Sequence, residues 1–182
     1  GYYRKHYWGP IHLAERCNHT KWSVLRYPND AMAQLAGMST EEYEDFYFAA
    51  CLVDYDKMGK AMEKLEALMD RTDKVHILGP GTDITFSIKG IPCYGMHGNK
   101  NIPDGEVYTA PVRESVNGVI TYNTPAPYDG FVYQNVKLVF KDGKIVECSS
   151  NNTDRMNKIF DIDEGARYVG EFAIGVNPYI LK

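Results

Sequence analysis

The spacing of apolar positions changes near Thr72, from a helical period before it to a strand period after it. In the first part, Tyr27-Pro28-Asn29-Asp30 forms a turn that feeds a short helix over 31–36, stopped by Gly37. Met38-Ser39-Thr40-Glu41-Glu42-Tyr43 carries the clearest start signal in the chain. Ser39 can cap the amide of Glu42, Glu42 can reach back to close a capping box, and Met38 can pack on Tyr43. The pattern predicts a helix over 40–52. Beyond Asp54, Tyr55, Met58, Met62, Leu65, Leu68 and Met69 recur at helical spacing and predict a second helix to about residue 71. Its methionines are core fillers. The first thirty residues are aromatic-rich without a clear period and read as irregular.

After Thr72, Val75-His76-Ile77-Leu78 is a candidate strand and Gly79-Pro80-Gly81 a turn. Ile84, Phe86 and Ile88 alternate with Thr85 and Ser87, as in a half-buried strand. Val107-Tyr108-Thr109, Val119-Ile120-Thr121-Tyr122 and Phe131-Val132-Tyr133 continue the pattern. Strands over 136–140 and 145–148 flank Asp142-Gly143, the dipeptide that supplies the positive backbone angles of a tight hairpin. A short helix over 154–160 and a last strand over 168–174 follow. Helices first and antiparallel strands afterwards predict an α+β fold, with a helical part over 1–72 and a mainly antiparallel β-rich part over 73–182.

Composition narrows the class. With 44% hydrophobic and 24% charged residues over 182 positions, the chain has the make-up of a folded domain or one lobe of a larger enzyme. The net charge of −4, with lysines and arginines scattered, leaves no footprint for nucleic acid or an anionic membrane. No apolar run approaches the roughly 18 to 20 residues of a membrane helix, and Gly1-Tyr2-Tyr3-Arg4-Lys5-His6 lacks a signal-peptide core, so a cytoplasmic protein is expected. Cys17, Cys51, Cys93 and Cys148 form no Cys-x-x-Cys pair and read as reduced thiols.

Two segments place an acidic residue behind a glycine at the start of an apolar strand: Asp104-Gly105-Glu106-Val107-Tyr108-Thr109 and Val169-Gly170-Glu171-Phe172-Ala173-Ile174. Carboxylates in such company are costly to bury unless paired, hydrogen-bonded or bound to a cation. On pattern alone both also read as ordinary post-turn or solvent-face residues, because Gly-Glu is common. His12, Cys17 and His19 lie close in sequence but read as structural, His76 as a strand residue and His97 as a turn residue. Cys93 has no recognisable catalytic partner, and Gly79-Pro80-Gly81-Thr82-Asp83 lacks the Gly-Lys-Ser/Thr of a phosphate loop.

Over 27–182 the chain resembles the thermophilic-type metalloaminopeptidase family, the group of aminopeptidases T and S. The residues that carry this are Ala31-Met32-Ala33-Gln34-Leu35-Ala36-Gly37-Met38-Ser39, Gly79-Pro80-Gly81-Thr82-Asp83-Ile84-Thr85-Phe86, the segments 103–111 and 163–178, Ser115-Val116-Asn117-Gly118 and Phe140-Lys141-Asp142-Gly143-Lys144. The resemblance implies an aminopeptidase in which two divalent ions, zinc or cobalt, activate a water against the first peptide bond of a peptide substrate. It places metal-ligand roles on Glu106 and Glu171, assigns no general base here, and implies a homodimer. It also implies that histidine and aspartate ligands lie beyond Lys182. The 182-residue chain is therefore expected to be a fragment, with 1–72 closing an N-terminal lobe and 73–182 opening the catalytic domain, binding metal weakly or not at all. The rival expectation is a non-catalytic folding or self-association module.

Overall fold

The computed structural model describes residues 1–180. A π-helix over Arg4–Cys17 is followed by a two-residue strand β1 (Val24–Leu25) and three helices, α1 (Asp30–Ala36), α2 (Thr40–Cys51) and α3 (Tyr55–Asp70). The strands are β2 (Lys74–Gly79), β3 (Thr82–Ser87), β4 (Tyr94–Met96), β5 (Asn101–Ile102), β6 (Glu106–Thr109), β7 (Asn117–Thr121), β8 (Ala126–Tyr128), β9 (Phe131–Tyr133), β10 (Lys137–Lys141), β11 (Lys144–Ser149) and β12 (Phe172–Gly175), with α4 (Thr153–Phe160) before the last. The fold is α+β with mainly antiparallel sheets.

The chain forms two compact units, one of Gly1–Met62, Gly95–Glu106 and the segment from Gly175, the other of Glu63–Tyr94 and Val107–Ile174. The first unit is helical. Asn29 caps α1 through the amide of Met32 at 3.1 Å, and Gly37, at φ 69°, ends it. At α2 the capping box is complete: the Glu42 amide donates to Ser39 Oγ at 3.2 Å, and the Ser39 amide donates to Glu42 Oε2 at 3.0 Å. The Ser39 backbone bond, then its hydroxyl, holds the Glu42 carboxyl below its ordinary pKa of 4.5. That contribution is complete above pH 4.5 and fades as the pH falls through the lowered folded value. Ser39→Ala is expected to cost about 1 kcal/mol in a denaturant titration at neutral pH. Asp54 starts α3 by accepting the Lys57 amide at 2.9 Å. Tyr47, Ala50, Cys51, Met58 and Met62 are buried, so the apolar spacing reads the inward faces of α2 and the first half of α3 correctly.

The N-terminal segment differs from its irregular reading. It is a π-helix with Pro10 inside it and no buried residue, and its wider turns depart from the 3.6-residue period that marks an α-helix. Its aromatic rings meet each other instead: Tyr3 stacks on Tyr7 at 5.3 Å and Trp8 on His12 at 4.2 Å between centroids.

The second unit is built on a five-stranded antiparallel sheet in the order β11-β10-β7-β3-β2. Ile84, Phe86, Leu138, Phe140 and Ile145 fill its core face, joined by Met156 of α4. Asp142 (φ 48°) and Gly143 (φ 83°) make the β10/β11 turn, as Asp-Gly predicts. The last strand begins later than expected. Tyr168 makes only an isolated bridge to Lys144, with the Arg113 guanidinium 4.0 Å from its ring centroid, and regular pairing resumes at Phe172. β12, β6 and β4 form a separate three-stranded sheet. Among the described residues no helix is long and apolar enough to cross a membrane.

Candidate functional site

The Pro103-Asp104-Gly105-Glu106 segment lies in the first unit. Asp104 is 7% exposed, its Oδ2 accepting the Gly98 amide at 2.9 Å and its Oδ1 the Gly105 amide at 3.0 Å. Backbone amides thus offset part of the cost of burying that charge. Gly105 takes φ 132°, and a Cβ there would sit 2.7 Å from Asn177 Cβ and 3.0 Å from the Met58 sulfur. Only glycine fits, on both conformational and steric grounds. The Gly105 carbonyl accepts the Val176 amide at 2.9 Å. Asn177, also 7% exposed, donates from Nδ2 to the carbonyls of Ala50 (3.0 Å) and Asp104 (2.9 Å) and accepts the Tyr179 amide at 3.0 Å. Glu106 emerges half-buried from this cradle as the first residue of β6, and the next residue, Val107, is fully buried. Asp104 and Asn177 were read only as parts of longer motifs. A polar pair flanked by Pro103, Gly105 and Pro178 is the one local signal that marked them.

Glu171 lies in the second unit, exposed, directly before β12. It stands on an apolar cleft of about 90 Å³ whose lining includes Ile77, Phe86, Ile120, Phe140 and Phe172. Phe172 meets Phe86 edge-on at 5.1 Å, and both rings line the cleft.

The remaining candidates resolve as structural. The Gly59 hydrogen faces the His97 ring, where a Cβ would sit 2.9 Å from Nδ1, so His97 packs on the α3 backbone. His76 Nε2 lies 2.8 Å from Asp83 Oδ1 across the β2/β3 hairpin, an exposed pair of small energetic weight. Burial pushes the thiols of Cys51, Cys93 and Cys148 up, away from the thiolate a nucleophile needs. Among the described residues no three His, Cys, Asp or Glu side chains converge tightly enough to hold a metal ion. Glu106 and Glu171 are donors of the type that hard and borderline divalent ions take, and they supply part of a shell, not a complete one.

The family model described as thermophilic metalloprotease (M29) matches residues 4–181. The chain belongs to this family. Aminopeptidase T of Thermus aquaticus is 29% identical over 185 residues, covering 85% of the chain and 44% of that protein. Aminopeptidase 2 of Geobacillus stearothermophilus is 38% identical over 81 residues, 44% of the chain and 20% of that protein. Among solved structures, wild-type AmpT from Thermus thermophilus superposes with a TM-score of 0.76 at 27% identity, covering 85% of the chain and 44% of that structure. A 2,5-dihydroxypyridine dioxygenase from Pseudomonas putida shares the fold alone, with a TM-score of 0.61 at 14% identity over 75% of the chain and 43% of that structure. The chain therefore spans about 44% of the length of the M29 aminopeptidase T it resembles.

Proposed function

We propose that the chain is part of an aminopeptidase that removes N-terminal residues from peptides with two divalent metal ions, zinc or cobalt. The observation that carries this is the M29 family match over residues 4–181, together with relatives named as aminopeptidases. In this reading Glu106 and Glu171 are metal ligands, Glu106 presented by the Gly105 turn and Glu171 at the rim of the apolar cleft. The bound ions would supply an acidified water and charge stabilisation for the tetrahedral intermediate. The protein's own contribution is to present two carboxylates, Glu106 from the backbone turn closed around Gly105 and Glu171 exposed beside the cleft. Residues 1–72 close an N-terminal lobe and residues 73–182 open the catalytic domain. Free cysteines support a cytoplasmic setting, and weak metal binding by the 182-residue chain on its own is expected because two carboxylates do not fill the shells of two ions.

The test is chelation of the full-length protein. Hydrolysis of leucyl substrates is expected to disappear in EDTA and to return with zinc or cobalt; EDTA-resistant turnover would sink the proposal. The π-helix, which has no buried residue and carries exposed Tyr7 and Trp8 with exposed Tyr2 and Tyr3 before it, favours self-association as an added property, consistent with a homodimer of the whole protein. Light scattering that shows a monomer at high concentration would remove that second reading.

A further inference from the structure

We infer that Asp104 and Asn177 act together as positioning residues for Glu106, an inference that rests on Glu106 being a metal ligand. Both side chains are 7% exposed, and both direct their polar atoms at the peptide units around Gly105. On one side of Gly105, the Asp104 carboxylate accepts the Gly105 amide, and the Asn177 amide donates to the Asp104 carbonyl. On the other side, the Gly105 carbonyl accepts the Val176 amide. The Cα itself is backed by Asn177 Cβ and the Met58 sulfur, with no room for a side chain. The backbone entering Glu106 is thereby tied to three separate segments: the end of α2 through Ala50, the loop through Gly98, and the segment after β12 through Val176 and Asn177.

A turn that needed only to be stable would not require this. Two buried polar side chains are costly unless fully partnered, and apolar residues of similar volume would close the same space without that demand. What the arrangement supplies is rigidity in the direction of the next side chain. A ligating carboxylate must be held within about 0.5 Å of its productive position, and loss of supporting hydrogen bonds around metal ligands costs about 10- to 100-fold in affinity. Asn177 is 73 positions from Asp104 and 127 from Ala50, so the support is assembled only by folding.

The experiment uses the full-length protein with cobalt as the probe, read by equilibrium titration and by the visible absorption of the bound ion. Asn177→Asp keeps the volume and the acceptor for Tyr179 but removes the donor to Ala50 and Asp104. Asp104→Asn keeps the volume but can accept only one of its two amides well. Each is compared with Met62→Ala, a buried substitution in the same unit that leaves the Gly105 turn alone, and with Glu106→Gln. Cobalt binding is expected to weaken about 10- to 100-fold in both isosteric variants, with a changed visible spectrum. Met62→Ala, despite an equal or larger fall in melting temperature, should keep both within twofold. Amide exchange at Gly105, measured without metal, should accelerate in the two variants and not in Met62→Ala, which provides a readout if one variant folds poorly. Wild-type cobalt affinity, spectrum and Gly105 exchange in Asn177→Asp and Asp104→Asn, with Glu106→Gln impaired, would overturn the positioning role. If Glu106→Gln itself binds cobalt normally, the ligand assignment fails and the inference falls with it.

Discussion

Glu106→Gln or Glu171→Gln in the full-length protein is expected to lower kcat/KM by roughly a thousandfold while leaving metal-free folding nearly unchanged. The two halves of this expectation have separate origins. Glutamine matches the size of glutamate, so packing is kept at half-buried Glu106, and at exposed Glu171 removing the charge should alter stability by only about 0.5 kcal/mol. A metal ligand, by contrast, helps set the several kcal/mol of charge stabilisation such a site supplies, and about 4 kcal/mol corresponds to a thousandfold in rate. Hydrolysis assays paired with metal content per chain and melting temperature would check it. A variant that keeps full metal content and activity within tenfold of wild type would remove that glutamate from the site.

Gly118→Ala should be one of the two most damaging single-methyl additions in the second unit. Gly118 lies in the middle strand β7, paired with Ile84 on one side and Phe140 on the other, at φ 118°. Its Cβ would strike the Asp83 carbonyl and come within 2.9 Å of Ile84 Cα, backbone atoms that cannot swing aside. Backbone strain of about 1–3 kcal/mol adds to overpacking of similar size, for a loss of about 3 kcal/mol or more and a melting temperature lower by roughly 10 °C. Gly143→Ala should behave similarly, because its Cβ would meet the Arg113 carbonyl at φ 83°. Gly79→Ala is the control, with no atom within 4 Å of the added methyl. Equal melting temperatures for Gly118→Ala and Gly79→Ala would refute the account.

Much of the local structure was legible in residue order. Ser39 and Glu42 specify their capping box, Gly37 its helix stop, Asp142-Gly143 its hairpin, and Ile84, Phe86 and Ile88 their inward face. Each depends on contacts within a few residues, so periodicity and capping chemistry suffice. The last strand was drawn too long because Tyr168, apolar by pattern, is held by Arg113 and Lys144, a partnership that no local window contains. The N-terminal π-helix was missed for a different reason: its wider turns depart from the 3.6-residue period, Pro10 lies inside it, and none of its residues is buried.

The candidate site divides along the same line. Sequence by itself determined that Glu106 and Glu171 follow glycines at the head of apolar segments, and that the chain resembles the aminopeptidase T and S group over 27–182, where the family model matches 4–181. Tertiary structure alone decided that Asp104 and Asn177 meet around Gly105, that an apolar cleft opens beside Glu171, and that β7 sits between β3 and β10. Local sequence encodes which face of an element avoids water, because that preference belongs to each side chain. Which distant partner satisfies a buried amide or carboxylate is set only when the chain closes on itself, and in this protein the closest supports of a proposed metal ligand are of that kind.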